Sequence, residues 1–174
     1  MCRRIVIGLV LVLLPGCNAG EAAPSDPWGF TTVDLPDTVE AIGTVFEAMP
    51  VEVAGYSRVD DAGGGEHLVD YGDGGPSAFV QFGEHRVVDG VNLSTAEFLS
   101  WMAGSGELDI IGSVLEDDVV WLHGSTAVGD ETGEWTEYLL VWGEAEGESL
   151  FWFTAESQED LDALAEGFVE AATG

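Results

Sequence analysis

Tyr138-Leu139-Leu140-Val141-Trp142 and Leu150-Phe151-Trp152-Phe153 are apolar at every position, as is Val119-Val120-Trp121-Leu122 upstream of them. A strand with one wet face alternates apolar and polar residues, whereas an unbroken apolar run needs cover on both faces. These runs therefore read as central strands covered on each side, by helices or by a bound partner. Around them, Leu108 to Leu115 and Val119 to Val128 read as one hairpin turning at Glu116-Asp117-Asp118. Glu137 to Trp142 and Ser149 to Ala155 read as a second, turning at Glu144 to Gly147.

Working outward, Val51 to Val59, Glu66 to Tyr71 and Ser77 to Phe82 read as strands separated by glycine-rich turns at Gly63-Gly64-Gly65 and Gly72-Asp73-Gly74-Gly75. Three helices punctuate the strands. Asp37 is placed to cap the first, with Val39, Ile42, Phe46 and Met49 on one stripe and Pro50 closing it. Ser94-Thr95-Ala96-Glu97 is a capping box for a short helix through Phe98, Trp101 and Met102, stopped by Gly104. The last helix starts at Ser157, with Leu161, Leu164, Ala165, Phe168 and Val169 facing inward. The order α-β-β-β-α-β-β-β-β-α predicts an α+β domain: a mainly antiparallel sheet of about seven strands with three helices packed on it.

The chain has 174 residues, 33 acidic and only four basic, for a formal charge of −29, and it contains no lysine. With 46% apolar residues it can build a core, so the charge does not imply disorder. A phosphate backbone needs a basic patch, which this chain lacks, so nucleic acid is excluded as a partner.

Arg3 and Arg4 precede an apolar run from Ile5 to Leu14, and Leu14-Pro15-Gly16-Cys17 follows. This is the three-zone pattern of a secretory signal, and the run is about half the length of a spanning helix. Leu14-Pro15-Gly16-Cys17 resembles the lipobox of bacterial and archaeal lipoproteins. That resemblance implies a signal peptide over 1–16, an acyl (palmitate-type) anchor on Cys17, and a protein held on the outside of the cell membrane. Residues 17–30 suit a flexible tether and 31–174 a single α+β domain. Cys2 leaves with the signal, so no disulfide forms within the mature chain.

A second, weaker resemblance covers most of the chain after residue 49. Tyr138 to Gly143, Leu150 to Ala155 and Glu159 to Glu166, with Met49-Pro50 to Tyr56 and Tyr71-Gly-Asp-Gly upstream, resemble the C-terminal domain of lipoprotein-sorting-like proteins and the ectodomains of anti-sigma factors. The element order is comparably similar to the α/β/α sandwich of exported relatives of photosystem accessory subunits and actinobacterial lipoproteins. Neither resemblance carries over functional residues.

Motifs of chemistry are sparse. His67, His85 and His123 lie in separate segments without metal-ligand spacing, so they read as strand or loop histidines rather than zinc ligands. Gly72-Asp73-Gly74-Gly75-Pro76-Ser77 leads into a strand, not a helix, and is a turn rather than a phosphate loop. Glu116, Asp117 and Asp118 sit in a solvated turn, unlike a glycosidase pair. Asp60-Asp61 and Asp70 to Asp73 lack the ligand period of a calcium loop, and the Asn92-Leu93-Ser94 sequon overlaps the capping box. No catalytic residue, metal or cofactor is implied.

One constellation invites a binding role. Trp121, Trp142 and Trp152 stand on three neighbouring strands, and on a shared uncovered face they form an aromatic surface for an apolar ligand, a glycan or a protein. The ordinary fate of tryptophan is the core beneath the first and last helices, and that reading is preferred. The functional expectation is a surface-tethered, non-catalytic lipoprotein domain that binds a ligand or partner or has a structural role. The alternative is an extracytoplasmic hydrolase using paired carboxylates.

Loss of Arg3 and Arg4 with the signal takes the formal charge from −29 to −31, leaving Arg58 and Arg86 against 33 acids. Surface charge is then nearly all repulsion, which folding concentrates and salt screens. The Debye length falls from about 8 Å at physiological salt to about 3 Å at 1 M. This points to a halophilic source, or at least to a domain least stable in dilute buffer. The melting temperature at pH 7 should rise steadily from low salt to molar sodium chloride; a flat or falling series refutes the repulsion argument.

Overall fold

The computed structural model describes residues 26–34, 36, 38–59, 68–72, 74–82, 86–130 and 133–174. In chain order the elements are α1 (Val39–Ala48), β1 (Glu52–Val53), β2 (Tyr56–Ser57), β3 (Leu68–Asp70), β4 (Ser77–Phe82), β5 (Val87–Val88) and β6 (Val91–Asn92). They continue with α2 (Thr95–Ser105), β7 (Asp109–Val114), β8 (Val119–Asp130), β9 (Gly133–Glu144), β10 (Ser149–Ala155) and α3 (Gln158–Thr173). The main sheet has six antiparallel strands in the order β3-β4-β10-β9-β8-β7. The chain is thus α+β with a mainly antiparallel sheet, as the sequence order predicts.

Register decides what each face carries. Trp121 pairs with Trp142, and Trp142 with Phe151, so all three point to one side. Leu122 pairs with Val141, Val141 with Trp152, and Trp152 with Phe79, which places these on the other side. The first face packs against α1, α3 and the N-terminal segment, through Ile42, Phe46, Leu161, Leu164 and Phe168. The second packs against α2, where Leu99 and Met102 meet Val120, Leu122, Leu139, Val141 and Leu150. Both faces of the central strands are buried, the condition their unbroken apolar runs demand.

The helix ends show why these segments are helical. Ser94 and Glu97 form the reciprocal capping box, and Ser157 accepts from the Asp160 amide at the start of α3. Thr38, not Asp37, caps α1 by accepting from the Ala41 amide; Asp37 lies outside the described residues. At the other end of α1, Arg58 Nη1 donates to the Phe46 carbonyl at 2.7 Å. A cation there satisfies a terminal carbonyl and complements the helix dipole. The second helix runs past Gly104 and ends at Gly106, whose φ of 76° provides the left-handed cap.

The expected strand from Val51 to Val59 is instead a hairpin, β1 and β2, turning at Ala54 (φ 53°) and Gly55 (φ 88°). Two consecutive positive φ values make the primed turn that tight hairpins favour. Ala-Gly is a poor advertisement for it, so the turn was invisible in the sequence. Asp89 (φ 50°) and Gly90 (φ 81°) form a second such turn between β5 and β6.

The expected tether through residue 30 is corrected at its end. Asp26 accepts from the Trp28, Gly29 and Thr31 amides, folding the chain back on itself. That turn delivers Trp28 and Phe30 into the core, where Phe30 stacks on Trp142 with ring centroids 3.9 Å apart and planes at 15°. The packed domain therefore begins at or before Asp26. Phe30→Ala should cost roughly 3–5 kcal/mol in chemical denaturation, the range for removing a fully buried ring; a loss below ~1 kcal/mol would show the segment to be peripheral.

Candidate functional site

The three tryptophans singled out above do not share a surface. Trp121 and Trp142 are buried on the α1–α3 side, whereas Trp152 is half-buried on the α2 side. The alternative of a Trp121–Trp142–Trp152 binding face is therefore not formed, and Trp121 and Trp142 lie in the core beneath α1 and α3, the reading preferred above. Trp152 belongs instead to an aromatic row the sequence did not reveal. It lies parallel to Phe79 at 5.7 Å and meets Phe98 of α2 at 6.3 Å; Phe98 in turn stacks on Trp101 at 5.8 Å. Trp152 Nε1 donates to Gln81, and Trp101 is 46% exposed.

A second candidate site lies on the opposite face, where the N-terminal segment meets β8. Pro27 and Trp28 line it from the N-terminal segment, and Ile111, Gly112, Trp121 and His123 from the sheet. Gln158, Asp162 and Glu166 line it from α3, spaced four apart and so on one helix face. The cleft is open to solvent and has a volume of about 400 Å³.

Its walls are positioned by tight local packing. Trp28 stands perpendicular to Trp121 at 5.6 Å and to His123 at 5.3 Å. Its Nε1 donates to Asp162 Oδ1 at 2.9 Å, and Gln158 Nε2 donates to the same oxygen at 2.8 Å. Gly112 of β7 makes room for the Trp121 ring, since a Cβ there would sit 3.3 Å from it. A bulge between Ile110 and Gly112 displaces Ile111 to the rim.

His123 is the chemically informative residue. It is 6% exposed, and its Nε2 is buried without a hydrogen-bond partner. Burial pushes its pKa below the ordinary imidazole value, against the opposing pull of a Gln158 hydrogen bond and the Asp162 charge. It is therefore neutral at pH 7. An unpaired buried polar atom costs about 1–3 kcal/mol, so its presence on a cleft wall calls for an explanation. Zinc does not supply one, because no group of three or more His, Cys, Asp or Glu among the described residues is placed to hold a metal. His67 and His85 lie outside the described residues, as do Asp60, Asp61 and Asp73.

The other sequence candidates are structural. Glu116, Asp117 and Asp118 are exposed in the β7–β8 turn. Asp70 Oδ1 accepts from the Gly72 amide as a turn brace, and Ser94 of the sequon is occupied as a helix cap. Arg86 is buried and donates to Thr95 Oγ1 and to the Gly147 carbonyl, pinning the β9–β10 turn to α2.

Sequence reasoning missed Trp28, Gln158, Asp162 and Glu166. The signal for Trp28 was available: two large aromatics, Trp28 and Phe30, in a stretch read as a polar tether. The α3 residues carried none, since carboxylates on a helix face read as solvated surface.

No protein-family model, curated protein or solved structure matches the chain. The assignment of a role rests on the geometry.

Among the acids, Glu137 on β9 is set apart. Burial raises its pKa above the usual carboxylate value, and the neighbouring Glu156 raises it further. A raised folded pKa means that charge at neutral pH opposes folding, and that protonation relieves the penalty as pH falls through the folded value toward the unfolded one. Glu137→Gln should raise the melting temperature at pH 7 by about 2–4 °C or less, the size of a ~1 kcal/mol effect discounted for solvent screening. The gain should shrink as pH is lowered toward 4.5. A gain that is constant with pH would show that charge is not its source.

Proposed function

We propose that the chain is a lipoprotein, tethered to the outside of the cell membrane by a lipidated Cys17, whose domain binds a ligand without catalysis. The observation that carries the binding role is His123 Nε2, buried and unpartnered on the wall of a cleft framed by two indoles. His123 lines the cleft, and its Nε2 is a hydrogen-bonding group that the protein leaves unsatisfied there. The nine steps from Cys17 to Asp26 span at most about 30 Å, enough to hold the domain beside a bilayer.

The hydrolase alternative has one specific observation in its favour, the raised pKa of Glu137 beside a second carboxylate. Neither residue lines the Trp28–His123 cleft, nor the small-residue groove between Ala48, Pro50, Gly167 and Ala171. The binding reading is preferred for that reason.

Anchorage is tested by Cys17→Ala. That variant should appear in the soluble fraction or accumulate as an unprocessed precursor, since two or more acyl chains anchor stably. Unchanged membrane partitioning with the signal removed overturns the anchor.

A further inference from the structure

We infer that the Trp28–His123 cleft takes a small organic ammonium ion, a primary or secondary amine in its protonated form carried on an apolar stem. The inference rests on reading the cleft as a binding site and names its ligand class.

The charge of the lining sets the sign of the ligand. Asp162 and Glu166 are the charged residues of the wall, and no cation lines it. The whole chain strengthens this field, with 33 acids against four arginines. An anion is repelled by both carboxylates. A neutral polyol satisfies His123 but partly dehydrates two carboxylates without a counter-charge.

The acceptors are arranged for N–H donors. Asp162 Oδ1 is already occupied by Trp28 and Gln158, and Oδ2 accepts from none of the described residues. Glu166 lies one turn further along α3 and is exposed, so its carboxylate is free to turn inward. Gln158 is hydrogen-bonded to Asp162 and also sits beside His123, so it ties the two walls together. An ammonium with two or three N–H groups has a donor for each of the two carboxylates.

The aromatic walls suit the same ligand. Trp28 and Trp121 meet edge to face at 90°, forming a corner that lines the cleft. Indole attracts cations more strongly than other aromatic side chains, and the corner packs an apolar stem equally well.

The test titrates the full-length chain, in neutral detergent and 1 M sodium chloride, with benzylammonium, benzyl alcohol and benzoate. Molar salt suppresses unspecific attraction of cations to so acidic a surface. The readout is the NMR resonances of the His123 ring and the Trp28 and Trp121 indole N–H groups. Benzylammonium should shift these saturably, and benzyl alcohol should bind about tenfold more weakly or not at all. Glu166→Gln, at an exposed position that spares the fold, should weaken benzylammonium by about tenfold. Benzyl alcohol or benzoate shifting these resonances at equal or lower concentration overturns the ammonium assignment and leaves the cleft a binding site. None of the three compounds moving them overturns both.

Discussion

The stacking of Phe30 on Trp142 is the contact on which the rest of this structure depends. Trp142 is fully buried at the middle of the sheet, where its ring also meets Phe151, Phe153 and Phe168. One residue thereby joins the N-terminal segment, two central strands and α3. The arrangement leaves Trp142 Nε1 buried without a partner, a cost of about 1–3 kcal/mol that the surrounding aromatic packing must offset. Remove Phe30 and the segment that carries Trp28 to β8 loses its hold, and the cleft loses a wall.

Charge is organised by scarcity. Arg58 and Arg86 donate to backbone carbonyls, at the end of α1 and at the β9–β10 turn, rather than being spread among carboxylates. Both are committed to holding the fold, and there is no lysine to supply a further cation. Most acids therefore face only solvent and one another. The same imbalance that burdens the fold in dilute buffer makes the cleft, with Asp162 and Glu166 on its wall, a place where a cation is welcome.

The two faces of the sheet use aromatic residues differently. Beneath α1 and α3 the rings are closely interlocked around Phe168, with edge-to-face and tilted contacts between 5.3 and 5.4 Å. On the α2 side, Phe79, Trp152, Phe98 and Trp101 form a row that grows more exposed toward Trp101. One helix covers β8 and β9 on that side, so the aromatic side chains of β4 and β10 supply part of their own cover.

What the sequence determined by itself is local: caps, breakers and apolar runs. The Ser94–Glu97 capping box, the Ser157 start of α3 and the bounds of β10 at Ser149 and Ala155 follow from neighbours a few residues apart, so a linear reading finds them. The α+β order and the burial of the central strands follow likewise. What only the tertiary structure decided depends on register and on distant contacts. Whether Trp121, Trp142 and Trp152 shared a face hung on a single step of pairing between β9 and β10, since a one-residue slip exchanges the faces. The site itself was out of reach for the same reason. It unites Trp28 with Asp162, 134 residues away, and His123 of β8 with both, and no local pattern encodes that meeting. Phe30 and Trp28 read as tether because their core partners lie more than ninety residues downstream.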